Sequence, residues 1–257
     1  MTAAPLLSVR GLRRSFYGVH ALNSVDLDVR AGTITALIGP NGAGKTTAFQ
    51  CITGVVRPGG GSVRFDGRDI TGWRPDRVTR AGLTRTFQIA RGIPRLSVLE
   101  NLLLYAQSLP GERLRAALTG AGRAAERAAL DRAWEVCRQL NLLRVANDPA
   151  AALSGGQKKL LEIGRALMAG PRLILLDEPI AGVNPSLAEE IADQLRALRD
   201  GGVTFLVIEH HMDLVARLCD PVIVMAEGRR LTEGPFATVQ DDPAVQEAYM
   251  GRRRWAN

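Results

Sequence analysis

Residues 39–46 read Gly-Pro-Asn-Gly-Ala-Gly-Lys-Thr, a spacing of glycines and one lysine suited to holding a chain of phosphates. Gly39, Gly42 and Gly44 let the backbone curl its N–H groups around oxygens, with Pro40, Asn41 and Ala43 completing the loop. Lys45 supplies a point charge toward the β- and γ-phosphates, Thr46 offers its hydroxyl to Mg²⁺, and Thr47 stands beside them in the first turn. A second segment, Leu-Ser-Gly-Gly-Gln at Leu153–Gln157, opens a helix-like stretch to Met168. Here Ser154, Gly155, Gly156 and Gln157 bring a hydroxyl and backbone donors to a helix N-terminus. In a third, the apolar run Leu173–Leu176 is followed by Asp177, Glu178 and Pro179. Carboxylates leaving the C-terminal end of a buried strand stand at the edge where open α/β sheets bind ligands. Asp177 is suited to holding Mg²⁺ through its water shell. Glu178 is suited to accepting a proton from a water that attacks the γ-phosphate, or to orienting it, a role worth about 10²–10⁴ in rate. Each segment has a plainer reading on its own: a glycine-rich turn, a serine cap, a pair of surface carboxylates. Their combination in one chain points to hydrolysis of a nucleoside triphosphate.

The elements needed to position these groups are legible in the hydrophobic pattern. Leu6–Val9, Val25–Val29, Thr33–Ile38 and Ser62–Phe65 are short, β-branched or alternating runs separated by Gly, Asn and Asp, and are read as strands at one edge of the domain. From Leu96 to about Asp148 the apolar residues take helical spacing, first Val98, Leu102 and Tyr105, then Leu130, Trp134, Cys137 and Leu140. That region is read as an all-helical insertion, broken at Pro110 and Gly111 and again at Gly120 and Gly122, and closed by Pro149. Beyond Pro171 the continuous apolar runs Leu173–Leu176, Val203–Ile208 and Val222–Met225 alternate with helical stretches Leu187–Leu198 and Met212–Leu218, the pattern of a buried parallel sheet.

Composition narrows the function further. The chain has 257 residues, enough for a large core, and a net charge of +7. Its 30 Arg and 3 Lys are mixed with acids and lack the aromatic interleaving of a base-stacking surface, so no nucleic-acid partner is expected. The one compact basic run is Arg252, Arg253 and Arg254, which reads as a solvated tail or as a contact with phospholipid. No apolar run of the length needed to span a bilayer and no signal-peptide pattern occurs, so a cytoplasmic chain is expected. Cys51, Cys137 and Cys219 are far apart in apolar surroundings and are expected to be buried free thiols.

Taken together, the loop at Gly39–Thr46, Leu-Ser-Gly-Gly-Gln and Asp-Glu-Pro resemble the ATP-binding-cassette (ABC) ATPases, from about Leu6 to Gly251. The resemblance implies an α/β fold with a P-loop NTPase (RecA-like) core, an antiparallel β subdomain and a helical subdomain inserted at about residues 96–170 of a single domain, 1–257. It implies ATP and Mg²⁺ as cofactors. Tyr17 matches the aromatic residue that stacks on adenine, with a half-buried strand-edge tyrosine as the alternative. Gln88, after Phe87, matches the glutamine that touches Mg²⁺ and the attacking water, and His210 the histidine that contacts the γ-phosphate. Because the chain carries one P-loop and one signature helix, the resemblance implies that two subunits, identical or paralogous, meet head to tail with Ser154 acting in trans.

Finer features resemble the ATPases of branched-chain amino acid uptake systems: Arg85-Thr86-Phe87-Gln88, Ser97 to Asn101, Ala181 to Pro185 and Ala248-Tyr249-Met250-Gly251. The chain departs from that group at Gly155, Ile180 and His211, where a bulkier residue, a small residue and an Asp are usual. Transmembrane permease subunits, a periplasmic binding protein acting indirectly, and a peripheral position on the cytoplasmic face of the membrane are implied. Uptake of other amino acids, urea or amides and lipopolysaccharide export are the neighbouring alternatives, followed by a soluble ABC ATPase acting on ribosomes or DNA. A GTPase would need a guanine-reading Asn-Lys-x-Asp motif, which the sequence lacks.

Overall fold

A computed structural model of the chain describes residues 4–86, 92–106 and 122–250. It divides into two compact units, one made of Met1–Arg85, Arg172–Pro179 and Arg199–Asn257, the other of Thr86–Pro171 and Ile180–Leu198.

The first unit holds two sheets. The smaller is built from β1 (Leu7–Phe16), β2 (Val19–Val29), β4 (Gly60–Phe65) and β5 (Arg68–Asp69), all antiparallel in the order β2-β1-β4-β5. The larger has the order β10-β9-β3-β8-β7-β6, from β3 (Ile34–Ile38), β6 (Leu83–Arg85), β7 (Leu173–Asp177), β8 (Thr204–Ile208), β9 (Val222–Ala226) and β10 (Arg229–Gly234). Five of its strands run parallel, and only β10 returns antiparallel, on β9. All five residues of β3, β7 and β8 are buried, as expected for strands covered on both faces. Helices α1 (Lys45–Ile52) and α2 (Pro75–Arg80) follow β3 and β5, and α7 (Met212–Leu218), α8 (Phe236–Gln240) and α9 (Pro243–Met250) lie toward the C-terminus.

Thr33–Ile38 was grouped above with the edge strands, and the structure corrects this. β3 lies inside the parallel sheet, between β8 and β9. β1 and β2 are also longer than the apolar runs that announced them. Past Val9 the register of β1 against β2 shifts, at Gly11 with φ +56°, and the strand continues through Arg10–Phe16 with one side exposed. A strand with a wet face carries a weak hydrophobic signal.

The second unit is helical: α3 (Val98–Leu103), α4 (Gly122–Gln139), α5 (Gly155–Met168) and α6 (Pro185–Asp200), the last belonging to it as far as Leu198. Gly164 of α5 marks the closest approach. A Cβ there would lie 2.9 Å from Leu102, 3.0 Å from Leu140 and 3.2 Å from Val136, so only glycine lets α3 and α4 come this near. The buried stripe of α4 is Ala133, Val136 and Cys137, continued by Leu140 just after the helix. Tyr105 and Leu130, which share that helical spacing, are exposed. α3 begins with a capping box, Ser97 Oγ accepting from the Glu100 N–H and the Glu100 carboxylate accepting from the Ser97 N–H. The breaks expected at Pro110, Gly111 and Gly120 lie outside the described residues.

Candidate nucleotide and catalytic site

The phosphate loop leaves β3 and enters α1 through backbone conformations that glycine tolerates best. Gly39, Gly42 and Gly44 take φ of +146°, +82° and +98°. Two of them are also pressed from outside, since a Cβ on Gly39 would lie 2.0 Å from the Met225 carbonyl oxygen and one on Gly44 2.5 Å from that of Ala21. The turn after β9 fixes the loop further, Gly228 donating to the Ala43 carbonyl and receiving from the Asn23 N–H. Burial raises the pKa of the Tyr249 hydroxyl, and the nearby Gly39 backbone acts against that shift, so α9 lies beside the start of the loop.

Lys45 is 6% exposed, and its ammonium donates to the carbonyl oxygens of Gly39 at 2.7 Å and Pro40 at 3.1 Å. Burial lowers its pKa, while the charges of Glu178 and Asp177 act against that shift. Thr46 and Asn41 are exposed at the mouth of the loop. Tyr17, at φ +49° in the turn between β1 and β2, is fully exposed, so the strand-edge alternative of a half-buried ring does not apply.

Asp177 ends β7 and is almost completely buried. Its Oδ2 accepts from Arg85 Nη2 at 2.7 Å, and its Oδ1 is buried with no hydrogen-bond partner among the described residues. Arg85 lies with its guanidinium carbon 5.8 Å from the centre of the Phe49 ring, so β6 and α1 both bear on this carboxylate. Glu178 follows in a left-handed conformation, φ +52°, which is rare for a side chain of this kind. The turn is pinned by Glu178 N–H donating to the Ile208 carbonyl at 3.0 Å, and Glu178 Oε1 lies 3.1 Å from His210 Nε2. Parallel pairing of β7 with β8, Asp177 opposite Ile208, carries the two residues to the same sheet edge. There a carboxylate can take a proton from water while the imidazole, donating through Nε2, holds it.

Ser154 caps α5 in a capping box: its Oγ accepts from the Gln157 N–H at 3.2 Å and Gln157 Oε1 accepts from the Ser154 N–H at 2.9 Å. The serine therefore does structural work and keeps a hydroxyl proton to donate. Gly155 is exposed. Gly156 is buried, and a Cβ there would lie 2.3 Å from the Leu187 side chain, so this glycine serves packing. Gln88 lies outside the described residues.

The sequence reading missed two groups. Arg85 appeared there only as part of a string of letters, and its pairing with Asp177 spans 92 residues. Glu209 was passed over, although it is a carboxylate at the end of the apolar run Val203–Ile208, the same placement that singled out Asp177.

Comparison with known proteins identifies the family. The ABC transporter family model matches residues 22–181, and a model described as branched-chain amino acid ATP-binding cassette transporter matches residues 229–254. The high-affinity branched-chain amino acid transport ATP-binding protein BraF of Pseudomonas aeruginosa is 40% identical over 250 residues, covering 96% of this chain and 98% of its own. The crystal structure of an ATP-binding cassette of an ABC transporter in its ADP conformation aligns with a TM-score of 0.85 at 36% identity, over 97% of this chain and 100% of that one. A dimeric structure of an ATP-binding cassette in a post-hydrolysis state, bound to ADP and Pi, aligns with a TM-score of 0.72 at 25% identity, over 90% and 98%. A glycine loop at the end of a central strand, a carboxylate and a histidine at the same sheet edge, and these matches together mean that the chain belongs to the ABC transporter family, as an ATP-binding cassette.

Proposed function

We propose that this chain is the ATP-hydrolysing subunit of a membrane importer for branched-chain amino acids, and that the Glu178 and His210 pair at 3.1 Å is its hydrolytic centre. The two units then form one cassette, residues 1–257, with a helical subdomain at about 96–170. The loop N–H groups of Gly39 to Thr47 hold the β- and γ-phosphates, and Lys45 balances their charge. Adenine stacks on the exposed Tyr17.

The donor set suits Mg²⁺, a hard cation served by oxygen: the exposed Thr46 hydroxyl and the buried, unpartnered Asp177 Oδ1, the latter through water, with Gln88 as a further ligand. When bound, the cation would offset charge on the β- and γ-phosphate oxygens. Glu178 accepts the proton of the attacking water or orients it. His210 holds the Glu178 carboxylate and reaches the γ-phosphate.

A second cassette, identical or paralogous, closes the site with Ser154, Gly155, Gly156 and Gln157 on the γ-phosphate. The Ser154 hydroxyl proton and the N-terminus of the 14-residue α5 favour an anion there. Hydrolysis removes the group that joins the two copies, and the dimer opens. Permease subunits take up that motion, with a periplasmic binding protein delivering cargo to them. The cassette would sit peripherally on the cytoplasmic face; among the described residues no helix is long and apolar enough to cross a membrane. The match of residues 229–254 and the relatives' names support the choice of cargo.

The test is reconstitution. Glu178→Gln keeps ATP binding, stops turnover and traps a dimer on gel filtration, and Ser154→Arg mixed with Lys45→Ala subunits restores one composite site. Turnover of Glu178→Gln at the parent rate would refute the assignment of the base. Proteoliposomes with the neighbouring permeases should take up labelled leucine; uptake of urea instead would move the chain to the neighbouring transport class.

A further inference from the structure

Behind the hydrolytic pair stands a carboxylate to which neither the sequence reading nor the proposed mechanism gives work. Glu209 follows β8 directly and is 1% exposed, in the stretch where the chain turns from the strand toward α7. Its Oε2 accepts from the His210 N–H at 3.0 Å and the His211 N–H at 3.5 Å, and lies 3.2 Å from His211 Nδ1. The carboxylate thus reaches back over its own backbone and binds the two residues that follow. His211, 60% exposed by side chain, folds its ring onto the same oxygen. A buried acid is costly unless it is hydrogen-bonded, and the bonds above hold the turn that carries His210.

We infer that Glu209 is a positioning residue for His210: it fixes the backbone of the switch turn so that the imidazole meets Glu178. The groups facing it within this turn are the two backbone N–H donors and the His211 ring; Glu178 faces only the far side of His210. The His211 ring, bonded to the same oxygen, restrains the carboxylate from the solvent side. The inference rests on the proposed hydrolytic role of Glu178 and His210 and adds what sets their geometry.

The chain has 3 histidines, so the imidazole resonances of His20, His210 and His211 can be assigned singly by substitution, in nucleotide-free protein and with no reference to turnover. Glu209→Ala should move the His210 ring resonances toward those seen in Glu178→Ala, because in both the contact between His210 and Glu178 is lost. Glu209→Gln keeps an oxygen acceptor for both N–H groups and should leave the His210 ring near its parent position. If Glu209→Ala folds poorly, Glu209→Met serves in its place, since a side chain of similar length without an oxygen cannot accept from the same N–H groups.

In ATPase assays Glu209→Ala should lower kcat by about 10²-fold, the cost of misplacing a catalytic group by about 1 Å, with the KM for ATP within about twofold. Added to His210→Ala it should cost almost nothing more, because its effect passes through His210. A His210 resonance unmoved by Glu209→Ala and by Glu209→Met, or rate losses that multiply in the double variant, would overturn the inference. Absence of ATPase activity in the parent protein even with the paralogous cassette and permeases supplied would instead overturn the proposed function, and the resonance experiment would still decide the positioning.

Discussion

Arg85→Met removes the hydrogen-bonded positive partner of a buried carboxylate. The side chains of Arg85 and Asp177 are 10% and 1% exposed and meet at 2.7 Å, and Asp177 Oδ1 has no other hydrogen bond among the described residues. Methionine keeps the unbranched stem and deletes the guanidinium together with its approach to the Phe49 ring, so the change acts chiefly on the charge. Stripping one member from a buried ion pair costs about 3–5 kcal/mol, because the remaining charge has lost water and gained nothing. For 257 residues the unfolding entropy is about 0.5 kcal/mol per kelvin, so the melting midpoint should fall by about 6–9 °C if the chain unfolds cooperatively. Differential scanning calorimetry of nucleotide-free protein reads this directly, with Asp177→Asn and the double variant completing a cycle. The double variant should melt above Arg85→Met alone, since the amide no longer needs the cation. A midpoint within about 1 °C of the parent, or strictly additive losses in the cycle, would refute the claim that this pair is coupled in the folded state.

Further consequences follow from single atoms. Gly39→Ala places a Cβ 2.0 Å from the Met225 carbonyl oxygen at φ +146°, so the loop must move, and ATP affinity by equilibrium dialysis should drop at least about tenfold. Cys51, Cys137 and Cys219 are at most 5% exposed, and burial pushes their thiols up to about 11, 11 and 12. Iodoacetamide at neutral pH should therefore label none in the native protein and all in denaturant, by intact mass. Burial lowers the Lys45 pKa, so the ammonium is lost at a lower alkaline pH than for an ordinary lysine. Phosphate binding, present below that pKa, should decline as pH rises through it, and a titration of ATP affinity that matches an unperturbed lysine would contradict this.

The chemistry of the site was legible in the letters because it is local. A glycine-spaced loop between a strand and a helix, a serine and glutamine three apart at a helix start, and an acid after an apolar run need no partner from elsewhere to be recognised. The parallel strands β7, β8 and β9 were readable too, since a strand buried on both faces is apolar at nearly every position.

Lateral order was not readable. Nothing in Thr33–Ile38 says that it will lie between β8 and β9, because strand adjacency is set by crossovers through the whole chain. The same holds for the groups that tune the site. Arg85 reaches Asp177 across 92 residues, Glu178 meets His210 only once β7 and β8 pair, and Gly156 proves to be a packing residue because Leu187 lies where its Cβ would be. Sequence alone determined which reaction this chain is equipped for, since motif chemistry resides in neighbouring residues. The tertiary structure alone decided which side chains hold those residues in place, because burial and pairing arise only when distant segments share one sheet edge.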